Sequence, residues 1–171
     1  MTDPTPILRT SRLELRRFTL EDAAFAYQLV NDPDWIRNIG DRNVRSLEDA
    51  RGYLGRVMAA YERSGFGMYV VCLAETNEAI GTCGLIRREE LEDVDIGFAF
   101  LPAHRGQGYA LESAAAVMEH ASDLGLRRIV AIVSPGNEPS IRLLEKIGMT
   151  FERMILMPGD TEEIRLYARS V

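Results

Sequence analysis

Two features of this chain could do chemistry. Arg105-Gly106-Gln107-Gly108-Tyr109-Ala110 is a glycine-rich turn that opens a helix-like run, Leu111 to Leu124. Such a turn aims several backbone N–H groups at one point and adds the positive end of the helix dipole, so it favours a phosphate. Asp95 lies upstream, inside an otherwise apolar strand-like run, where a carboxylate is a candidate proton acceptor. Two familiar phosphate loops fail at named positions. A P-loop needs Gly, four residues, then Gly-Lys-Ser/Thr, and no such string exists here. A dinucleotide fingerprint would place a third glycine where Leu111 stands, and the next strand ends in Ser134-Pro135-Gly136 without the acid that binds a ribose. The pattern that fits is Arg/Gln-x-x-Gly-x-Gly/Ala, filled by Arg105, Gly108 and Ala110. A plain tight turn would also satisfy it, so the surroundings must decide.

The elements that must position these residues are legible from periodicity. Leu13 and Leu15 alternate with Glu14 and Arg16, a half-buried strand. Thr19, with Asp22 three positions on, starts a helix to about Val30, and Asn31-Asp32-Pro33 stops it. A loop, Asp34 to Arg45, holds the only tryptophan, Trp35. Ser46 caps a second helix with the stripe Leu47, Ala50, Tyr53, Leu54, Val57, Met58 and Tyr61, ended by Gly65. Met68–Ala74 and Ala79–Ile86 read as a hairpin, and Val94–Leu101 as the strand before the glycine turn. The alanine-rich helix after the turn can approach a sheet closely. Ile129–Val133 is a continuous apolar run suited to a strand buried on both faces. Asn137 begins a shorter helix to Lys146. Met149–Met157 and Glu163–Arg169 close the chain as a hairpin around Pro158-Gly159-Asp160. The strands flanking the glycine-turn helix should be parallel, because a helical crossover joins them.

Composition narrows the class. A chain of 171 residues with 46% apolar and 27% charged residues suggests one folded domain, residues 8–171, behind a short flexible tail, residues 1–7. A net charge of -6 without a basic face argues against a general nucleic-acid binder. There is no long uncharged apolar run for a membrane span and no apolar signal core at the start, so the cytoplasm is the expected location. Cys72 and Cys83 lack metal or redox spacing and read as buried reduced thiols; a turn centred on Asn77-Glu78 would set them opposite each other. His104 and His120 form no ligand pair, so no metal is expected, and His120 is expected in solvent.

The whole set resembles the GNAT family of acyl-CoA N-acyltransferases, and within it the branch that includes ribosomal-protein N-terminal acetyltransferases. The strings that carry the resemblance are Thr10–Arg16, Ser46–Ala50, Ile80–Leu85, Asp95–Phe98, the glycine turn, Asn137–Ser140 and Leu144–Met149, spread over residues 8–167. The resemblance implies an α/β (α+β) fold: a mixed, mainly antiparallel twisted sheet with helices on both faces, in the order β-α-α-β-β-β-α-β-α-β-β. It implies an enzyme that moves an acetyl group from acetyl-CoA, its co-substrate, directly to a primary amine through a tetrahedral intermediate. The runner-up is a non-catalytic acyl-CoA-binding module on the same fold. A nucleotide binder using the glycine turn is weaker, since the lysine and ribose acid are missing.

Residue by residue, the resemblance implies that Phe98-Ala99-Phe100 offers free backbone groups, through a bulge or splay, to the pantetheine arm. Arg105, Gly106, Gln107, Gly108, Tyr109 and Ala110 would hold the pyrophosphate. Asp95 matches the position of a base, through a water if its short side chain requires one. Asn137 would hydrogen-bond the pantetheine or amine region, and Ser140 would give a proton to the leaving thiolate, with Tyr167 the alternative donor. Plainer readings stand beside each. Phe98, Phe100 and Tyr167 could be core aromatics and Arg105 a solvated cation. Asp95 could face outward, Asn137 could be a helix cap, and Ser140 a first-turn serine bonding backbone. The acceptor pocket is expected from the loop Asp32 to Arg42, with Trp35, and from the hairpin tip near Gly159, where the acids Asp32, Asp34 and Asp160 would attract an amine. A homodimer is compatible with the sequence, which carries no signal that decides it.

Overall fold

The computed structural model describes residues 5–171. Its elements are β1 (Leu8–Arg9), β2 (Leu13–Arg17), α1 (Ala23–Val30), α2 (Pro33–Asn38), α3 (Leu47–Ser64), β3 (Met68–Leu73), β4 (Ala79–Ile86), β5 (Val94–Phe100), α4 (Tyr109–Asp123), β6 (Arg128–Val133), α5 (Glu138–Lys146), β7 (Thr150–Ile155) and β8 (Ile164–Ser170). One eight-stranded sheet runs β1-β2-β3-β4-β5-β6-β8-β7. All neighbours are antiparallel except β5 and β6, the pair joined across α4. This is the mixed sheet expected from the element order. No helix among the described residues is long and apolar enough to cross a membrane.

Local signals explain most boundaries. Ser46 Oγ accepts from Asp49 N at 3.0 Å to start α3, and Gly65 ends it at φ 79°. One face of the sheet packs Ala114, Val117, Met118 and Ala121 of α4 with Ile141 and Leu144 of α5. The other packs Ala23, Ala26, Leu29 and Val30 of α1 with Ala50 and Leu54 of α3. Strand β6 is buried on both sides: Ile129, Ala131 and Val133 face the first cluster, and Val130 packs with Leu166 and Ala168.

Four expectations are corrected. The supposed loop after Asp32 contains the helix α2, because Pro33 both ends the α1 segment and occupies the first turn of the next helix, where its missing N–H is harmless. Cys72 and Cys83 do not face each other. The hairpin register sets Cys83 against Tyr69 and Cys72 against Ala79, and the two thiols fall in opposite core clusters. His120 is not free in solvent: it lies against Tyr69, with Nε2 3.2 Å from the tyrosine hydroxyl, and burial lowers its pKa. The expected tail is shorter than residues 1–7, since Ile7 N already donates to Leu15 O at 2.7 Å. Residues 1–4 of that tail lie outside the described residues.

Candidate active site

Strands β5 and β6 pair at only two positions, Val94 with Ile129 and Asp95 with Val130. Beyond Asp95 both strands continue, to Phe100 and Val133, without pairing. The remainder of β5 stays joined to β4, from Asp95 opposite Ile86 to Phe100 opposite Gly81. The result is a splay in the middle of the sheet. Leu101 N donates to Ile80 O of β4 at 3.0 Å. Strand alternation therefore turns the backbone groups of Phe98 and Phe100 the other way, into the gap. Their rings pack with the α4-side core, while Ala99 lies on the α1–α3 side. The aromatics are thus core residues; the Phe98 backbone groups and the Phe100 N–H stay free toward the gap, Phe100 O is taken by Arg105 Nε, and the expected role of the Ala99 backbone is corrected, since it turns to Thr82 of β4.

The glycine turn lies just past the end of β5. Gly106 and Gly108 adopt φ of 74° and 85°, in the left-handed region where a side chain is strained. The α4 ladder begins with Glu112 N donating to Gly108 O at 3.0 Å, so the N–H groups ahead of it have no partner within the helix. Those donors and the Cβ-less Gly108 fit an anionic phosphate. Arg12, on the bend before β2, braces the turn. Its guanidinium stands 4.4 Å over the Tyr109 ring, donates from Nη1 to Gln107 O at 3.0 Å and from Nε to Glu112 at 3.0 Å. Thr10 Oγ1 adds a 2.7 Å bond to the same carboxylate. Partial burial pushes the Glu112 carboxyl up, but these hydrogen bonds outweigh it and leave it below its ordinary value. Arg12 belongs to one of the strings that carried the resemblance, yet nothing in its spacing revealed this contact. The Gln107 side chain donates to Ala103 O at 3.1 Å, and Ala110 O accepts from Ser113 Oγ at 3.1 Å.

The Arg105 side chain is partly exposed, yet it is no free cation: each of its nitrogens has a partner within the protein. Its Nε donates to Phe100 O at 3.0 Å, Nη2 to Asp32 and Nη1 to Asp34, each at 2.5 Å. It ties the end of β5 to the start of α2. Asp34 also pairs with Arg37. These acids are neutralised within the protein, which removes the expected attraction for an amine. Trp35 is corrected too: it is 7% exposed, in the core with α1 and α3, and does not line an open loop. Its Nε1 is buried without a partner among the described residues.

Asp95 stands at the last paired position before the splay and is 1% exposed. It shares its strand face with Ala99, toward α1 and α3, so an outward, solvated orientation is excluded. Burial raises its carboxyl from 3.8 to about 6, against the pull of Arg88, whose Nε lies 3.2 Å from Oδ2. A carboxylate near neutrality at the mouth of a gap can accept a proton from an approaching group. Across the gap, Asn137 caps α5: its side chain accepts from Ser140 N at 3.4 Å. The capping reading therefore holds for the Asn137 oxygen, and the Nδ2 donors are not consumed by it. Ser140 is half-buried in the first turn. Tyr167, 2% exposed, packs edge-on against Phe151 from β8, opposite Ala131 of β6.

Comparison with known proteins agrees with this arrangement. Residues 12–150 match the model of the acetyltransferase (GNAT) domain family. An uncharacterized N-acetyltransferase, YoaA of Bacillus subtilis (strain 168), is 33% identical over 152 residues, covering 88% of this chain and 86% of its own. The crystal structure of an acetyltransferase from Agrobacterium tumefaciens str. C58 superposes with a TM-score of 0.82 at 28% identity, over 99% of this chain and 96% of that one. RimL, a ribosomal L7/L12 alpha-N-protein acetyltransferase solved with coenzyme A, shares the fold at 24% identity, with a TM-score of 0.84 over 98% of each chain. With its splayed sheet, its glycine turn and a family match over most of its length, this chain belongs to the GNAT family of acetyltransferases.

Proposed function

We propose that this enzyme moves the acetyl group of acetyl-CoA directly to a primary amine, without a covalent enzyme intermediate. The observation that carries the reading is the position of Asp95. It is a buried carboxyl held near neutrality at the point where β5 and β6 part, on the same strand that leads into the glycine turn. The first-turn amides of α4, from Gly108 onward, hold the pyrophosphate, with the Arg105 side chain acting as a brace for the turn. The Phe98 backbone and the Phe100 N–H align the pantetheine arm in the gap and offer an N–H to the thioester oxygen. That donor stabilises the oxyanion formed when the amine nitrogen attacks the carbonyl carbon. Asp95 takes the proton released by the amine, directly or through a water. As the C–S bond breaks, Ser140 Oγ–H protonates the thiolate, with Tyr167 as the alternative donor, and Asn137 Nδ2 orients the pantetheine or amine region. The proton account closes: one proton leaves nitrogen and one arrives on sulfur. No metal takes part, and the cytoplasm is the expected setting.

Thiol release from acetyl-CoA across a panel of amines tests the activity, and thermal shift with acetyl-CoA, ATP and NAD tests the ligand. Ligand at a hundredfold its dissociation constant stabilises by about 2.7 kcal/mol, or roughly 5–11 °C for a chain of this size. A shift with ATP and none with acetyl-CoA would overturn the reading. Ser140→Ala and Tyr167→Phe then separate the two donors: the true one lowers kcat by about a hundredfold without loss of acetyl-CoA affinity.

A further inference from the structure

The glycine turn lacks the free cation expected at its head. Arg105 opens the turn, yet its three nitrogens go to Phe100 O, Asp32 and Asp34, which sets two carboxylates on one guanidinium. The turn also carries an acid of its own. Glu112 stands in the first turn of α4, beside the N–H groups that the helix leaves unpaired. Its hydrogen bonds hold the carboxyl below its ordinary value, so it is ionised at neutral pH. An anion settling on those amides meets that charge, which opposes the pull of the helix dipole.

Arg12 bears on both deficits. It comes from the bend before β2, a hundred positions from Glu112 in sequence. Its Nε donates to Glu112 Oε1 at 3.0 Å and its Nη1 to Gln107 O at 3.0 Å, with the Tyr109 ring beneath the guanidinium. Thr10 Oγ1 and Arg12 N hold the other oxygen of the same carboxylate, at 2.7 and 3.3 Å. These contacts fix the guanidinium and leave Nη2 as its one nitrogen without a partner among the described residues. Nη2 lies 3.2 Å from where a Cβ on Gly108 would stand. Glycine leaves that spot empty, so the free N–H groups of Nη2 border bare backbone at the head of α4. The Arg12 side chain is 45% exposed, so a ligand can reach it from solvent.

We propose that Arg12 is a binding residue for the coenzyme A pyrophosphate: Nη2 donates to a phosphate oxygen held over Gly108, while Nε offsets the Glu112 charge that would repel the same group. This rests on the coenzyme A reading above and names the cation of that site. A guanidinium suits the task because its nitrogens point in fixed, divergent directions, so one bonds a carboxylate and another a phosphate.

Titration calorimetry with coenzyme A and dephospho-coenzyme A, and kinetics with acetyl-CoA and S-acetylpantetheine, test this. Arg12→Gln should weaken both coenzymes by about tenfold to a hundredfold, the range of a hydrogen bond to a charged group, and raise KM for acetyl-CoA in step. S-acetylpantetheine has no phosphate, so Arg12→Gln and wild type should use it with equal kcat/KM. Arg12→Lys keeps Glu112 matched and should lose less than Arg12→Gln. Glu112→Gln separates a phosphate contact from a brace that only shapes the turn. Gln keeps an oxygen for Thr10 and Arg12 but removes the negative charge, so it should tighten coenzyme A by about threefold to tenfold even as Tm falls. A brace alone predicts that Arg12→Gln and Glu112→Gln weaken coenzyme A together. That result overturns this inference alone, as does unaltered affinity in Arg12→Gln or a loss that disappears with dephospho-coenzyme A. A wild type that binds no coenzyme A overturns the coenzyme reading and this one with it.

Discussion

Replacing Asp95 by Asn should make the protein more stable at neutral pH while disabling it. The carboxyl is raised from 3.8 to about 6, with burial as the leading cause. A carboxyl raised in the folded state binds its proton more tightly there than in the unfolded chain. Its ionisation therefore works against folding: the penalty is absent below about pH 3.8, grows between 3.8 and 6, and is fully present above 6. At 1.36 kcal/mol per unit, the difference amounts to about 3 kcal/mol at pH 7 and about half a kcal/mol near pH 4. Asn is neutral and nearly isosteric, so it escapes this cost but loses the bond from Arg88, whose half-exposed guanidinium can turn to water. A net gain of about 1–3 kcal/mol at pH 7 follows, or roughly 2–12 °C in Tm. Thermal denaturation of both proteins at pH 7 and pH 4 measures it. In parallel, kcat/KM for the amine should fall by about a hundredfold and lose its inflection near pH 6. A variant less stable than wild type at pH 7, or a stability difference that does not change between pH 4 and 7, would refute the desolvated-carboxyl argument. An unchanged pH–rate profile would remove Asp95 as the base.

Three further outcomes are expected. Gly108→Ala places a Cβ at φ 85°, 3.2 Å from Arg12 Nη2, so it should lower stability by about 1–2 kcal/mol and weaken coenzyme A binding about tenfold in calorimetry; unaltered affinity would argue against phosphate held on this turn. Arg105→Ala leaves the buried Asp32 carboxylate without its cation and frees α2 from Phe100, which should reduce stability by about 1–3 kcal/mol, discounted for the partial exposure of Arg105. A variant with unchanged Tm and only lost coenzyme A affinity would mean the arginine serves the phosphate after all. Asn137→Ala should lower stability by about 1 kcal/mol through loss of the α5 cap, while a further drop in kcat, relative to Asn137→Ser, would reveal work by its amide donors.

The sequence by itself determined what depends on neighbours along the chain. Hydrophobic period, cap residues and glycine stops set the order of strands and helices, and the Arg105–Ala110 turn with its flanking elements announced a phosphate site. These signals act over a few residues, so a single chain displays them. Even so, local signals can point two ways: Asp32-Pro33 reads as a helix stop and is also the start of α2.

The tertiary structure decided everything that required distant residues to meet. Arg105 finds Asp32 and Asp34 more than seventy positions away, and Arg12 reaches the turn across about a hundred. The pairing register of β3 with β4 puts Cys83 on the Tyr69 face and Cys72 on the Val70 face. The burial that raises Asp95 comes from helices packed over its strand. Most consequential is the acceptor side, where charge type along the chain suggested acids awaiting an amine. Packing pairs Asp32 and Asp34 with Arg105 instead, because the charge that a ligand meets depends on which groups remain unpaired after folding.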